Sequence, residues 1–398
     1  IKTPLKTNAP IGGAGNAAAE RAIIVIHSSS RNSLNYYNTI ESMVNDAGEA
    51  GKVLLYAPHF LTSEDVTHNN YQDDYEMAFF KQNYWKIGHN AQPTCLDHQA
   101  TLDEHVTAGR AEKTTTGYWI WQTTTYTTIG SGETLGSSGS TVAWVNERPY
   151  GYFHAGACPS EASLGRYIGS FGFVDVIMNE LTDATRYPSL KQVVVAGHSA
   201  GGQFVNRYAA GNLVEPLLNA RGVKVKFIVA EPSTYMFMDE QRPDTAISKV
   251  YGETDQFEVP PQDVQNGCSN FNRYKHGLIG RNGYMNQISE AQIRQQYGQR
   301  NVVYMVGGND DIRVIELDAN GNVISNPTGL EVTCEANLQG QHRLERSVNY
   351  MNYMKHYYGE QITARHSQMV IPGVGHTGFG QYQSELGRAQ FFTPFSVE

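Results

Sequence analysis

The chain has 398 residues, 40% hydrophobic and 17% charged, with a formal net charge of −9 and a pI near 5.8. That apolar content is ample for a large core. A negative balance with no basic block argues against nucleic acid and anionic membranes as partners, and no apolar run approaches membrane-spanning length.

The residues before Ala22 are rich in Pro and Gly and allow at most an edge strand. Ala22–Ile26 (AIIVI) reads as a buried strand, and the loop His27-Ser28-Ser29-Ser30-Arg31-Asn32 follows it. A helix is expected over Leu34–Ala47 and a strand over Lys52–Ala57. Further strands are expected at Gln192–Ala196, Val225–Ala230, Val302–Val306 and Gln368–Ile371. Helices are expected at Leu164–Thr185, Gln203–Ala210, Glu290–Tyr297, Leu344–Tyr358 and Tyr382–Phe391. This alternation predicts the α/β class, a mostly parallel sheet covered by helices on both faces.

Two stretches interrupt the alternation. Asp97–Tyr150 is long and rich in Thr, Ser and Gly, and its Tyr118-Trp119-Ile120-Trp121-Gln122-Thr123 alternates as a β-hairpin does. Met236–Arg281 is the second. Both read as insertions in a single domain over 1–398, and both suit the wall or lid of a pocket. Trp85, Trp119, Trp121 and Trp144 either offer aromatic surface to a substrate or form the insertion's own small core.

Lys191–Tyr208 carries the chemistry. Val193, Val194 and Val195 make an apolar run that breaks at Gly197-His198-Ser199-Ala200-Gly201, after which Phe204, Val205 and Tyr208 recur at helical spacing. Strand, tight turn and helix with a serine at the apex match the G-x-S-x-G nucleophile elbow. Glycines fit where the turn crowds the strand and helix. The bland alternative is a strand–helix connection whose serine caps the helix.

A serine hydroxyl needs a general base, and the base needs an orienting carboxylate. In this arrangement the chain order is serine, acid, histidine. His376 lies in the glycine-rich loop Pro372–Gly378, just past the last expected strand, and stands above His276, His342, His356 and His366. Val302–Val306 runs into Gly307-Gly308-Asn309-Asp310-Asp311, which puts a carboxylate at a strand's C-terminal end. Asp310 is the first choice of acid and Asp311 the second. Asp239 and Glu231 are weaker alternatives, and a plain polar turn at Asp310–Asp311 is the competing view. An oxyanion hole needs two preset N–H donors. The backbone N–H of Ala200 is one, and Ser29, in the loop after the first strand, is the favoured second. No cofactor is called for, and neither H-E-x-x-H nor paired-cysteine spacing points to a metal.

With these residues in view, the chain resembles the α/β-hydrolase superfamily, in the neighbourhood of secreted esterases and polyhydroxybutyrate-depolymerase-like proteins. A closer resemblance is to a group carrying HSAGGQ followed by RYA, here His198–Gln203 and Arg207–Ala209. That group also carries QG-x-x-R-x-E-R, here Gln339–Arg346. Many relatives have His-Gly where this chain has His27-Ser28. The resemblance runs from about Ala22 to His376, is poor across Asp97–Tyr150, and implies a serine hydrolase without identifying its substrate.

The expected activity is cleavage of ester bonds in a small molecule or polymer through an acyl-enzyme. A peptidase or amidase on the same triad is one alternative; a non-catalytic binding protein on this fold is another. Numbering that starts at Ile1 is read as a mature or trimmed end with any signal peptide removed, and the Asn/Thr/Gly-rich, lysine-poor composition looks secreted or periplasmic. The cysteines permit disulfides: Cys268–Cys334 is favoured, and Cys95–Cys158 follows by default. The oligomeric state is not written in the sequence.

Overall fold

A computed structural model describes residues 3–62, 64–65, 77–80, 82–89, 92–93, 98–107, 111–116, 123–128, 134–136, 141–145, 152–154, 169–318 and 323–393. The chain divides into two compact units. One comprises Ile1–Thr3, Phe60–Trp85 and Asn90–Ile168; the other comprises Pro4–His59, Lys86–His89 and Gly169–Glu398.

The larger unit is built on a seven-stranded sheet. Its strands are β1 (Leu5–Thr7), β2 (Arg21–Ile26), β3 (Val53–Pro58), β4 (Gln192–His198), β5 (Lys224–Ala230), β6 (Val302–Gly307) and β7 (His366–Ile371). They lie in the order β1-β3-β2-β4-β5-β6-β7. The three-residue β1 runs antiparallel at one edge, and every other pair is parallel. Strands β2, β3, β4 and β6 are buried along their whole length. Such unbroken burial is what a sheet covered on both faces demands, and it explains why their sequences read as apolar runs rather than as alternations.

Side chains alternate between the two faces along each strand. On one face, Val25, Val194, Ile228 and Met305 share a core with Tyr36, Ile40 and Met43 of α1 (Ser33–Asp46). On the other face lie α3 (Ala200–Gly211) and α5 (Arg343–Tyr358). Tyr208 of α3 meets Phe227, and Tyr350 of α5 meets Tyr304 at 5.2 Å between ring centroids. The remaining helices used below are α2 (Ser170–Glu180), α4 (Glu290–Tyr297), α6 (Gly378–Gln383) and α7 (Glu385–Phe392).

Two expected helices differ from the observed ones. The Leu164–Thr185 helix is described over Ser170–Glu180, with 164–168 outside the described residues. The Tyr382–Phe391 helix is two, α6 and α7. Ser384 leaves helical geometry, and its hydroxyl accepts the Gly387 N–H at 3.0 Å to start α7. A serine competes with the helix ladder in this way and favours such a cap.

Within 236–281, Met236, Phe237 and Met238 are buried, and the Phe237 ring packs on Tyr350 and Tyr353 of α5. A short ribbon pairs Arg242–Pro243 with Phe257–Glu258. Cys268 and Cys334 form a disulfide, Cα–Cα 5.7 Å, over a sequence separation of 66. Cys95 and Cys158 lie outside the described residues. Closing a loop of 66 residues restricts the unfolded chain, so reduction is expected to lower stability by about 4 kcal/mol. Urea midpoints with and without reductant measure this, and Cys268→Ser should reproduce the reduced value.

The smaller unit contains short sheets. Ala111–Thr116, Thr123–Thr128 and Thr134–Gly136 form one, with Thr116 opposite Thr123. The strands of this hairpin therefore flank 117–122, and Trp119 and Trp121 lie outside the described residues. Trp85 is fully buried and stacks on Phe60 at 5.6 Å, as a core residue does. Trp144 lies on the strand Thr141–Val145, its side chain outside the description.

Candidate active site

Parallel strands end on one side of a sheet, and loops leaving adjacent strands meet there. Ser199 directly follows β4, Glu231 directly follows β5, Asp310 lies just past β6, and His376 lies in the loop after β7. The loops after β6 and β7 are stitched together: Gly308 N–H donates to Ile371 at 2.8 Å and Asn309 N–H to Val374 at 2.9 Å.

The turn after β4 is as tight as its sequence implies. A Cβ on Gly197 would run into the Gly201 carbonyl, and one on Gly201 into the carbonyls of Ile26 and His27. The same close approach sets the loop after β2 against the start of α3. Ser199 has φ 57° and ψ −113°, a conformation that costs a non-glycine residue about 1–3 kcal/mol. Its N–H donates to the Ala230 carbonyl at 2.8 Å, so it is not the N–H that remains free at the helix start. Ala200 opens α3, where first-turn N–H groups lack partners inside the helix. Ser29 is exposed on its turn, and its carbonyl accepts from Arg31 Nη1 at 3.2 Å.

His376 Nε2 is 3.1 Å from Ser199 Oγ, and His376 Nδ1 is 2.9 Å from Asp310 Oδ2. Asp310 is buried, and its Oδ1 faces Arg343 Nη1 at 3.6 Å. Asp311 is exposed. Asp239 is turned away to other partners: its carboxylate accepts from Tyr353 Oη at 2.8 Å and from Gln241 N–H at 3.0 Å. Of the other histidines, His366 is buried between Tyr304 Oη and the Tyr297 carbonyl, and His276 lies 3.4 Å from Glu331. The serine, the acid of first choice and the histidine are thus brought into one chain of hydrogen bonds.

This arrangement is an α/β-hydrolase fold. The elbow follows a central parallel strand, and acid and histidine follow later strands in that order. No family model matches the sequence, and no curated protein is similar to it. Among solved structures the chain is similar to the poly(3-hydroxybutyrate) depolymerase LpqC of Bordetella parapertussis, 16% identical with a TM-score of 0.48, over 97% of this chain and 84% of that one. It is also similar to poly(aspartic acid) hydrolase-1 of Sphingomonas sp. KT-1, 17% identical with a TM-score of 0.47, over 98% of each chain. A siderophore hydrolase, EstA of Aspergillus nidulans, is 9% identical with a TM-score of 0.35 over 98% of this chain and 91% of that one.

Other residues crowd His376 and its partners. Glu231 is fully buried, and its Oε2 lies 3.0 Å from both His198 Nε2 and His376 Nδ1. Burial pushes the Glu231 carboxyl up, but hydrogen bonds from His198 and then His376 outweigh it and hold it near about 2. Burial lowers His198 against the pull of Glu231, so its ring is neutral. Burial also pulls His376 down, yet the hydrogen bonds to Asp310 and then Glu231 win and hold it above its ordinary value. His198, Glu231 and His376 each offer one ligand-type atom within 4.8 Å of the others, a grouping that the close contacts among them already account for.

The segment Gln339–Arg346, which the sequence offers only as a mark of resemblance, brackets this site. The Gln339 side chain pairs with both backbone groups of Tyr235 at 2.8 and 3.0 Å. Arg343 reaches Asp310 and, through Nη2, the Ser233 hydroxyl at 3.3 Å. Arg346 donates to the carbonyls of Gly340 at 2.8 Å, Ser233 at 2.6 Å and Glu331 at 2.9 Å.

Proposed function

We propose that the protein is a serine hydrolase that cleaves carboxylic esters through an acyl-enzyme, and that it acts outside the cytoplasm. The observation that carries this reading is His376, which bridges Ser199 Oγ at 3.1 Å and Asp310 Oδ2 at 2.9 Å. Ser199 attacks the ester carbonyl carbon while His376 Nε2 takes the hydroxyl proton. The carbonyl oxygen becomes an oxyanion and accepts hydrogen bonds from the N–H of Ala200 and that of Ser29. Asp310 keeps the Nδ1–H tautomer and stabilises the imidazolium. His376 then gives its proton to the leaving alkoxide, which departs as alcohol. Water, deprotonated by the same nitrogen, attacks the acyl-serine and releases the acid with Ser199 restored.

The Cys268–Cys334 disulfide supports an oxidising compartment. Among the described residues no helix is long and apolar enough to cross a membrane. The same reading treats the chain as one hydrolase domain with insertions at 97–150 and 236–281.

A panel of p-nitrophenyl acyl esters, polyesters and peptides, run on wild type and on Ser199→Ala, tests the reading. Ester turnover that Ser199→Ala abolishes supports it; turnover retained in that variant sinks it, and faster cleavage of peptides would make the protein an amidase.

The pH profile carries a sign. His376 must be neutral to act as base, and its pKa is held above the ordinary histidine value. The acid limb of kcat/KM is therefore expected above about 6.5, the free histidine value. A limb below that value would show that burial outweighs the two carboxylates.

A further inference from the structure

We propose that Glu231 is a second acid of this site, a positioning residue that shares His376 Nδ1–H with Asp310 and supplies the net negative charge the imidazolium needs. The inference rests on Ser199 and His376 acting as nucleophile and base. It concerns a residue that the chain order of a triad does not require.

The geometry begins with distance. Asp310 Oδ2 at 2.9 Å and Glu231 Oε2 at 3.0 Å approach the same His376 nitrogen. Glu231 is held there from several sides. Its Oε1 accepts the Gly307 N–H at 2.8 Å, and its Oε2 faces His198 Nε2 at 3.0 Å. Tyr36 Oη lies 2.8 Å from His198 Nδ1. A neutral His198 beside an ionised carboxylate donates from Nε2, so Nδ1 accepts from the Tyr36 hydroxyl. The donations of Tyr36 and His198 thus run towards Glu231, whose Oε2 also faces His376 Nδ1. Glu231 itself adopts φ 45°. A non-glycine residue in that region is held by its surroundings, and such strain gathers at functional positions.

The charge count shows what the second carboxylate does. The groups that face His376 and its partners are Ser199 and His198 from the elbow, Glu231 after β5, Asp310 after β6 and Arg343 at the start of α5. Tyr36, Tyr235 and Tyr382 stand behind them, their phenols pushed up by burial and therefore neutral. Arg343 faces Asp310 Oδ1 at 3.6 Å and offsets that carboxylate. With Asp310 and Arg343 alone, forming the imidazolium would leave a buried net positive charge. With Glu231 present, the resting cluster carries one net negative charge, and the imidazolium neutralises it.

The test uses labelling by a fluorophosphonate probe, which needs no knowledge of the natural substrate. Its second-order rate is measured against pH for wild type, Glu231→Gln, Asp310→Asn, the double variant, His376→Ala and Ser199→Ala. Glu231→Gln is expected to move the acid-limb midpoint down by about 1–3 pH units, the effect of removing one charge at this distance. Asp310→Asn is expected to keep about one hundredth of the wild-type rate, because Glu231 still holds Nδ1–H. The double variant should fall about 10⁴-fold, to the His376→Ala level. A folded Glu231→Gln protein with the wild-type midpoint overturns the inference. If Glu231→Gln does not fold, Asp310→Asn decides: a rate well above His376→Ala supports the second acid, and a rate equal to it overturns the idea. Labelling that persists in Ser199→Ala overturns the hydrolase reading itself. Loss of labelling there, with an unmoved midpoint in Glu231→Gln, overturns only the role of Glu231.

Discussion

Ser199→Ala is expected to lower kcat/KM for a p-nitrophenyl ester by about 10⁵-fold, near 7 kcal/mol of transition-state stabilisation. The loss is large because this hydroxyl is the proposed nucleophile, 3.1 Å from the His376 nitrogen proposed to take its proton. The fold should survive. Ser199 holds its place through backbone bonds, from its N–H to Ala230 and from Gln203 N–H to its carbonyl, and alanine keeps both. Circular dichroism and a urea midpoint within about 0.5 kcal/mol of wild type would show that only chemistry was removed. Adding His376→Ala to Ser199→Ala should cost almost nothing further, because the two groups act as one unit.

Arg346→Met is expected to be the most damaging single change outside the triad, lowering stability by about 3–5 kcal/mol. Arg346 is fully buried and donates to three main-chain carbonyls, those of Gly340, Ser233 and Glu331. Methionine fills much of the volume and returns none of those hydrogen bonds, so buried carbonyls are left unpaired. Ser233 stands two residues after Glu231, so the loop that carries Glu231 should loosen as well. Urea unfolding measures the first effect. A lowered fluorophosphonate labelling midpoint or a lowered rate in the folded fraction measures the second. A variant as stable as wild type would show that those carbonyls find other donors.

Much of the scaffold was legible because its physics is local. β2, β4 and β6 are buried on both faces and therefore read as apolar runs. The elbow was legible because backbone crowding at Gly197 and Gly201 leaves no room for a side chain. Asp310 and His376 were legible as residues after strands that run parallel, and the structure brings both to Ser199. What stayed hidden was non-local. Glu231 follows β5 as Asp310 follows β6, so the same rule pointed to it, but a rule that seeks one acid ranks the second as a competitor. Its partnership with His198 and Tyr36 depends on α1 packing over the elbow, which no spacing announces. Arg343 and Arg346 were visible only as letters of a shared motif; their work appears when α5 meets the loop after β5. The break between α6 and α7 was missed because Ser384 is one serine inside an otherwise continuous pattern.

The central claim is that Ser199 is a nucleophile activated by His376, and covalent capture tests it most directly. Folded wild-type protein is incubated with a fluorophosphonate, and the adduct is mapped by intact mass and peptide mass spectrometry. The expected result is one adduct on the peptide carrying Ser199, absent from Ser199→Ala and formed faster as pH rises through the His376 titration. An unmodified Ser199 in folded protein that still hydrolyses p-nitrophenyl acetate would contradict the account.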